Sequence, residues 1–517
     1  MYSRTRSAVC FGMEGREVFV ETDISRGLPG IGVVGLASTM VMESRERIKS
    51  AIENSGYEYP KGRITVNLTP ASLRKNSSCL DLPIAIGILA SEGNIRLRVA
   101  EDWGVIGELA LDGRVLGVEG ALPMMLHMKD LGIKGIIVPE ANRTEACLAG
   151  GNIFTVSCLR ECAKLMCMDP QKAAQDPETG KMLVCEEDLP GELLTESAGF
   201  KGAEDIPDFG DIIGQENAKR AVVIAAAGRH GLLMVGSPGC GKTMIAGRMA
   251  GVMPAMTGRE MLETAIVRSV AGLGDDSFRL WNKRPFRAPH HTIGRAGLIG
   301  GGLYPVPGEI TLAHNGVLFL DEICEFNKET IESLRLPIEE KKITHFRKGE
   351  PYTFPCNFQV VMAANPCPCG YFGDKDRECT CTQADLERYR RKLSGPIIDR
   401  IDMCISMEKV AYEDLAETRK GMTTQQMREQ VCGAIDFARS HGRTGFNADL
   451  NSREIDVFCH LADSEKKFMS RAYEAFKMSP RAYSRTLKVA RTIADLDGSE
   501  EIRTAHIAEA LNYRPKD

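Results

Sequence analysis

The chain has 517 residues, of which 43% are hydrophobic and 26% are charged, and its net charge at pH 7 is −5. This composition is typical of a soluble globular protein with about two to four domains, and it excludes a chain that is basic over its whole surface. No apolar run reaches the roughly 18 residues of a membrane span, and no apolar signal segment follows Met1. We therefore expect a cytoplasmic protein with no membrane partner.

The first region, residues 1–168, mixes two kinds of hydrophobic pattern. Runs such as Arg63–Leu68 and Gly135–Val138 are rich in β-branched residues and end in turn residues, which predicts strands. Runs such as Val41–Ile52 and Leu82–Ala90 have helical spacing. An α/β domain is predicted.

Three further regions complete the chain. Residues 169–208 hold 11 acidic residues against 3 basic ones, which predicts a solvated linker. Residues 209–410 alternate apolar strands with helices, the pattern of a parallel sheet covered by helices. Residues 411–517 have helical periodicity, with a capping box expected at Thr423 and Gln426.

A glycine-rich loop joins the apolar strand Gly231–Val235 to a helical stretch. The loop fits G-x-x-x-x-G-K-[ST] at every position: Gly236, Ser237, Pro238, Gly239, Cys240, Gly241, Lys242 and Thr243. Its glycines let backbone N–H groups surround phosphate oxygens, and the helix N-terminus attracts the same anion. We expect this P-loop to bind ATP, with Lys242 on the β and γ phosphates and the Thr243 hydroxyl on Mg²⁺.

A second apolar strand, Val317–Leu320, ends in two adjacent carboxylates. A buried strand that ends in two acids is costly unless a cation or a water molecule is held there. We expect Asp321 to support Mg²⁺ and Glu322 to polarise the attacking water. The alternative is a strand end with two solvated acids.

The P-loop and the segment Leu318–Glu322 look like the Walker A and Walker B motifs of a AAA+ ATPase. Further segments resemble the magnesium-chelatase-like branch: Arg287–Thr292, Pro307–Ile310, Ala313–Gly316, Ser394–Pro396 and Asp399–Asp402. Within that branch the chain resembles the bacterial ComM (YifB-like) family. The resemblance implies a Lon-protease-like α/β domain, a AAA+ αβα core and a helical C-terminal lid.

The resemblance also implies roles for three polar residues. Asn365 matches the sensor that orients the attacking water, and Arg400 matches an arginine finger offered to the ATP of a neighbouring subunit. Arg481 matches the second sensor, which the lid carries. A finger that acts between subunits needs a closed ring, so a homohexamer is implied. The alternatives are a salt bridge from Arg400 to Asp399 or Asp402, and a solvated helix position for Arg481.

The segments Gly107–Val115 and Ile136–Asn142 resemble the Lon-protease fold. A Lon peptidase needs a serine nucleophile and a lysine that deprotonates it. Only Ser77 and Ser78 lie close to the expected position of the serine, and Pro123 stands at the expected position of the lysine. We interpret the domain as a non-catalytic scaffold, with a live peptidase as the alternative.

Seventeen cysteines in a reducing compartment are expected to be thiols or metal ligands. Four of them form the pattern C-x-C-x9-C-x-C: Cys367, Cys369, Cys379 and Cys381. Four thiolates on two tight turns predict a structural Zn²⁺ site. An iron–sulfur cluster and unmetallated thiols in a loop are the alternatives.

A basic segment extends from residue 279 to residue 295, and it contains two histidines and no acid. Its interleaved aromatic residues suit a nucleic-acid backbone with occasional base stacking. The candidate DNA contacts are Arg279, Lys283, Arg284, Arg287 and Arg295. The alternatives are a solvated hairpin and histidines that pack within the core.

Function follows here from the family resemblance. It implies an ATP-dependent DNA helicase that drives branch migration in natural transformation and homologous recombination. The implied partners are single-stranded or branched DNA, further copies of the chain and recombination proteins. One alternative is a protein-remodelling or metal-chelatase-type ATPase with a partner subunit, and another is an ATP-dependent peptidase.

Overall fold

The computed structural model describes residues 2–35, 39–73, 75, 78–184, 206–274, 283–374, 376–393, 397–410 and 421–514. The described residues group into two compact units. The first unit takes its residues from Met1–Gly199, Thr257–Asn282 and Phe346–Thr353. The second takes them from Phe200–Met256, Lys283–His345 and Phe354–Asp517.

The first unit is built on a mixed seven-stranded sheet of order β3-β4-β2-β1-β5-β8-β9. Strand β2 pairs antiparallel with β1 and β4, and the remaining neighbours are parallel. The strands are β1 Tyr2–Phe11, β2 Glu14–Ser25, β3 Gly30–Val34, β4 Arg63–Thr69, β5 Trp103–Val105, β8 Gly135–Pro139 and β9 Ile153–Val156, with a small hairpin of β6 Glu108–Leu109 and β7 Val115–Leu116. The strands predicted at Arg63–Leu68 and Gly135–Val138 are therefore present.

Six helices within the described part of the N-terminal region accompany this sheet. They are α1 Thr39–Asn54, α2 Asp81–Glu92, α3 Ala121–Asp130, α4 Arg143–Ala149, α5 Leu159–Met166 and α6 Pro170–Gln175. Helix α2 is apolar on nearly every face and is buried from Asp81 to Leu89, as expected of a helix that lies inside a domain. Both predicted helices, over Val41–Ile52 and Leu82–Ala90, are present.

The boundary predicted at residue 169 is wrong. Helix α6 begins beyond Asp169, whose side chain accepts a hydrogen bond from Gln171 N. Ala173 and Val184 are buried against the first unit, and the indole N–H of Trp103 donates to Met168 O. The acidic count suggested a solvated linker, but the apolar residues among these acids pack on the domain. Residues 185–205 lie outside the described part of the chain.

A helix from the predicted ATPase region also belongs to the first unit. This helix, α9, extends over Gly258–Val270. It packs on α3, where Ser269 O accepts a hydrogen bond from Gly120 N and the Ser269 hydroxyl accepts one from Leu122 N. The predicted core of residues 209–410 is therefore interrupted by a segment that folds with the N-terminal domain.

The second unit is built on a parallel five-stranded sheet of order β11-β12-β15-β10-β16. Its strands are β10 Leu232–Gly236, β11 Phe286–Arg287, β12 Val317–Leu320, β15 Gln359–Ala364 and β16 Met403–Met407. Strands β12 and β15 are buried along their whole length, as expected of central parallel strands covered on both faces. The carboxyl ends of β10, β12 and β15 lie at one edge, which is where ligands bind in such sheets.

The helices of this sheet are α7 Glu216–Gly228, α8 Lys242–Val252, α10 Arg295–Ile299, α11 Glu309–Leu312, α12 Lys328–Glu332, α13 Arg335–Glu340 and α14 Gln383–Leu393. A hairpin of β13 Lys342–Arg347 and β14 Glu350–Pro355 follows α13.

A helical region completes the second unit. Its helices are α15 Thr424–Ser440, α16 Ser452–Phe458, α17 Asp463–Ala475, α18 Pro480–Leu496 and α19 Thr504–Asn512. The capping box predicted at Thr423 and Gln426 is present at the start of α15. Among the described residues, no helix combines the length and the apolar character needed to cross a membrane.

Candidate active site

The P-loop lies between the end of β10 and the start of α8. Gly236 ends the strand so close to β16 that a Cβ would lie 2.5 Å from the carbonyl oxygen of Met407. Gly239 and Gly241 have φ of 81° and 93°, a region that side chains disfavour. The motif glycines are therefore required by the backbone path, as the phosphate-binding interpretation expects.

Lys242 and Asn365 meet at this loop, although 123 residues separate them. The Lys242 ammonium donates to Gly236 O at 2.6 Å, to Ser237 O at 3.1 Å and to Asn365 Oδ1 at 3.2 Å. Asn365 directly follows β15, the strand next to β10. The structure thus brings the predicted phosphate-binding lysine and the predicted sensor into direct contact.

The two predicted magnesium-binding residues are also in contact. The Thr243 hydroxyl donates to Asp321 Oδ2 at 2.7 Å, and Asp321 Oδ1 accepts a hydrogen bond from Glu322 N at 2.9 Å. The Glu322 side chain is 54% exposed and its backbone is left-handed, with φ of 50°. A hydroxyl and a carboxylate that converge in this way supply the oxygen ligands that Mg²⁺ prefers.

Two residues near the site were not among the site residues predicted from the sequence. His291 Nδ1 lies 3.8 Å from Glu322 Oε2, and Gln215 Nε2 donates to Glu408 O at 2.6 Å and to Cys240 O at 3.3 Å. Gln215 therefore joins the P-loop to the segment after β16. Its only sequence signal is a Gly-Gln pair before a helix, which is too common to indicate such a contact.

Arg400 and Arg481 share one carboxylate. Their guanidinium groups lie 2.9 Å and 2.6 Å from Glu339 Oε1. These hydrogen bonds, with the one from Arg400 contributing most, lower the pKa of Glu339. Arg485, one turn further along α18, donates to the carbonyl oxygens of Ile398 and Ile401. The lid helix is therefore bonded to the segment that carries Arg400.

Both arginines line a groove with further cations. The other basic residues that line it are Arg229, Lys341, Arg485 and Lys488. No residue of the P-loop is among the described residues that line this groove. Arg400 is 10% exposed and Arg481 is 45% exposed. Two predicted catalytic arginines are thus placed together, in a groove to which their own P-loop contributes nothing.

The four predicted zinc ligands converge. Their ligand atoms all lie within 4.8 Å of one another, and the sulfurs of Cys367, Cys369 and Cys379 are separated by 3.3, 3.6 and 3.7 Å. With Zn–S bonds of about 2.3 Å, the sulfurs of a tetrahedral site would lie about 3.8 Å apart. The described geometry fits a tetrahedral metal ion held by four thiolates.

The predicted DNA contacts do not form one exposed set. Arg284 is 6% exposed, and its guanidinium donates to Pro254 O and Asn315 O at 2.6 Å and to Ala255 O at 3.2 Å. Its assignment as a DNA contact is therefore wrong, because its donors stabilise the loop in which it lies.

The other predicted contacts have different surroundings. Arg287 forms a two-pronged ion pair with Glu309 at 2.6 and 2.7 Å. Arg295 begins α10 and is exposed, and Lys283 is half-buried. Arg279 lies outside the described residues.

Among the described residues of the N-terminal unit, the candidate serine Ser78 is not paired with a lysine. The Ser78 hydroxyl donates to Glu108, and Lys129 donates to Ala149 O at 2.8 Å. Lys75 is fully buried and donates to three carbonyl oxygens, those of Gly35, Leu68 and Pro70. Ser77 lies outside the described residues, and Pro123 is buried in α3.

Comparisons with known proteins agree with this arrangement. Three family models match: magnesium chelatase, subunit ChlI, over residues 208–415; subunit ChlI of Mg-chelatase over residues 20–142; and magnesium chelatase, subunit ChlI C-terminal, over residues 421–514.

Competence protein ComM of Haemophilus influenzae is 40% identical over 513 residues, which cover 98% of this chain and 96% of the relative. YifB of Escherichia coli is 38% identical over 518 residues, which cover 99% of this chain and 96% of the relative. A Lon protease of Geobacter metallireducens is 26% identical over 138 residues, which cover 25% of this chain and 16% of that protease. The chain belongs to the ComM (YifB-like) family, in which a Lon-like domain, a magnesium-chelatase-type AAA+ core and a helical C-terminal region follow one another.

Proposed function

We propose that the chain binds and hydrolyses ATP at the carboxyl edge of its parallel sheet. The observation that carries this proposal is the convergence of Lys242 with Asn365 and of Thr243 with Asp321 at the end of the P-loop strand. Three segments that are distant in sequence bring a phosphate-binding cation, an amide and two oxygen ligands to one place.

Each of these residues has a defined task in hydrolysis. The P-loop N–H groups and Lys242 hold the β and γ phosphates, and Thr243 and Asp321 would hold Mg²⁺, which neutralises charge on the triphosphate. Glu322 accepts a proton from the attacking water, and Asn365 orients that water beside the γ-phosphate. Glu322 is suited to this task because its carboxylate is half exposed beyond the buried strand.

A second step of the proposal concerns assembly. The groove that holds Arg400 and Arg481 receives no residue from the P-loop of the same chain, so we assign both arginines to ATP bound by a neighbouring copy. Repetition of that contact closes a ring, and a homohexamer is the ring that the family resemblance implies. Within the ring, the four cysteines hold a structural Zn²⁺ ion and the N-terminal domain is a non-catalytic scaffold.

The proposed substrate of the motor is DNA. A relative that matches nearly the whole chain is named a competence protein, which supports cytoplasmic work on DNA taken up by the cell. We propose that ATP turnover drives branch migration of single-stranded or branched DNA in transformation or homologous recombination, alongside recombination proteins. Arg295 is an exposed candidate contact.

The alternative is a remodelling ATPase that acts on a partner protein or a metal-insertion complex. It is favoured by the matches to magnesium chelatase models over three parts of the chain. Such an enzyme would need a partner subunit and would hydrolyse ATP at the same rate with or without DNA. A peptidase is disfavoured because the described Ser78 bonds to a carboxylate instead of a lysine.

The steady-state ATPase rate of the purified chain, with and without single-stranded and forked DNA, separates these functions. We expect DNA to raise the rate several-fold. Glu322→Gln should bind ATP as the natural chain does. Its turnover should be at least about 100-fold slower, because the attacking water loses its base. Normal turnover in Glu322→Gln would contradict the assigned role, and a rate indifferent to DNA would favour the remodelling enzyme.

A further inference from the structure

The loop between the two cysteine pairs lies against the P-loop. Gly370, with φ of 86°, approaches Pro238 so closely that a Cβ would lie 2.8 Å from the Cδ and Cγ atoms of the proline ring. Its own N–H donates to Cys367 O at 3.0 Å. The turn that contains the first cysteine pair is therefore in contact with the phosphate-binding loop.

A second contact comes from Asp374. Its side chain is 3% exposed, and the nearby hydroxyl of Ser237, a P-loop residue, is the largest of the influences that lower the pKa of its carboxyl group. The Lys409 ammonium, beyond the end of β16, lies 3.0 Å from the same carboxylate. Asp374 thus joins the P-loop to the cysteine loop and to the neighbouring strand.

The remaining bonds of Asp374 hold its own loop in shape. Its carboxylate accepts hydrogen bonds from Asp376 N at 3.0 Å and Arg377 N at 3.2 Å. Asp376 itself is 75% exposed. Asp374 is therefore the point at which a surface loop turns inward to the nucleotide site.

The two cysteine pairs lie at the two ends of this loop. Cys367 and Cys369 precede it and Cys379 and Cys381 follow it, and the N–H groups of Cys369 and Phe372 donate to sulfurs of the cluster. A metal ion ties the two ends together and compensates the repulsion between thiolates. Without the ion, the thiols lose that tie, and the positions of Gly370 and Asp374 are no longer fixed by it.

We propose that the metal-loaded four-cysteine loop braces the P-loop through Gly370 and Asp374, so that the affinity for ATP depends on a metal ion bound away from the phosphates. The proposal rests on the proposed nucleotide site and adds a regulatory input to it. Asp374 acts as a positioning residue: it holds Ser237 and with it the loop whose N–H groups bind phosphate. Loss of the metal, or oxidation of its thiolate ligands, weakens ATP binding without any change at Lys242.

The test measures binding of a fluorescent ATP analogue to the full chain, with bound zinc and thermal stability recorded for every variant. We expect Asp374→Ala to weaken ATP binding about fivefold to tenfold, which is within the range of one lost ordinary hydrogen bond, with zinc content unchanged. Asp374→Asn keeps one hydrogen-bond acceptor, so its affinity for ATP should lie between those of the natural chain and Asp374→Ala. Asp376→Asn, a change of an exposed acid in the same loop, should leave the affinity as it is.

A second arm uses the metal. Removal of zinc by a chelator should weaken ATP binding in the natural chain but hardly further in Asp374→Ala, because the brace is already broken there. For Asp374→Ala, KM for ATP should rise while kcat stays close to that of the natural chain. A general loss of folding would lower both kcat and the thermal midpoint.

Two results would overturn the brace. One is Asp374→Ala with unchanged ATP affinity, and the other is equal affinity before and after metal removal. Lys242→Ala separates this failure from failure of the nucleotide site itself. If Lys242→Ala abolishes binding while Asp374→Ala leaves it intact, only the brace is wrong. If Lys242→Ala binds ATP normally, the nucleotide site is wrong and the brace falls with it.

Discussion

Asp81 is a carboxyl group that is almost withdrawn from water. It begins α2 and is 1% exposed, with Arg47 Nη2 at 2.9 Å from its Oδ2. Burial raises the pKa of Asp81 from 3.8 to about 6, and the hydrogen bonds and charge of Ser44 and Arg47 offset only part of this rise. In the folded chain, the ionised form is therefore less favourable than it is in the unfolded chain, although it still predominates at pH 7.

The raised pKa makes the stability of the N-terminal domain depend on pH. Between pH 3.8 and about 6 the folded state holds the Asp81 proton that the unfolded chain releases. Stability from this group is thus present below pH 3.8 and is lost as the pH rises to about 6. A shift of this size corresponds to about 3 kcal/mol at most.

Asp81→Asn removes the titration while it keeps a hydrogen-bond acceptor. We expect the melting temperature of this variant, relative to the natural chain, to be higher at pH 7.5 than at pH 4.5. Asp112 is an exposed acid of the same domain whose pKa is lowered by the backbone N–H and side chain of Arg114. Asp112→Asn should show almost no difference between these two pH values, because the lowered pKa of Asp112 places its titration below pH 3.8. A pH-independent difference for Asp81→Asn would refute the assignment.

Single residues of the site were predictable where one short segment carries the chemistry. The P-loop spacing indicated Lys242 and Thr243, and a strand end indicated Asp321. Glu339 could not be predicted in this way, because its partner Arg481 is 142 residues away. A single glutamate in a polar stretch also belongs to no recognisable motif. Arg284 was wrongly assigned as a DNA contact because its hydrogen-bond partners are backbone carbonyl groups, which produce no recognisable sequence pattern.

At the scale of elements, the contact between β2 and α3 shows how closely the first unit is packed. A Cβ on Gly15 would lie 2.5 Å from Pro123 O and 2.8 Å from Met124 Cα. These are backbone atoms of a helix, so the clash can be relieved only if the helix moves. Gly30, on edge strand β3, has no heavy atom within 4 Å of the corresponding position.

Gly15→Ala should therefore destabilise the N-terminal domain, whereas Gly30→Ala should not. Overpacking of this kind costs about 2–3 kcal/mol, or roughly 5 °C or more in the melting temperature of a domain of this size. Scanning calorimetry of the full chain, together with hydrogen exchange in β2 and α3, measures both variants. Equal melting temperatures for the two variants would show that α3 can move to accommodate the added methyl group without a loss of stability.

Element types were easier to predict than element partners. Periodicity identified α2 and the capping box identified the start of α15, because both signals lie within a few residues. The docking of α9 on α3 depends on Ser269, 149 residues from its hydrogen-bond partner Gly120 along the chain. Likewise, residues 170–184 look like a linker by charge, but they fold with the domain because a few apolar side chains find a surface there.

At the scale of the whole molecule, the positions of Arg400 and Arg481 bear on whether the active site is completed by a second copy of the chain. Their shared partner Glu339 holds both guanidinium groups in one geometry, and the groove around them lacks the P-loop of the same chain. If they serve hydrolysis, they serve it at a second copy. The active site is then complete only at an interface, and the catalytic residues of one chain belong to two different sites.

Mixing of two inactive variants tests this division. Lys242→Ala lacks its own nucleotide site but keeps Arg400, and Arg400→Ala keeps its nucleotide site but lacks the finger. In an equal mixture, about a quarter of the interfaces would join an intact P-loop to an intact finger. We expect turnover to reappear on mixing, because hydrolysis needs both groups at one interface.

The matched control mixes Lys242→Ala with Glu322→Gln. Both changes damage the nucleotide site of one chain, and both variants keep Arg400. An interface whose finger is intact then still lacks either the lysine or the base, so no turnover should return. Recovery in the first mixture and not in the second locates Arg400 across the subunit boundary, whereas no recovery in either, with ring assembly confirmed by light scattering, would contradict a finger that acts between subunits.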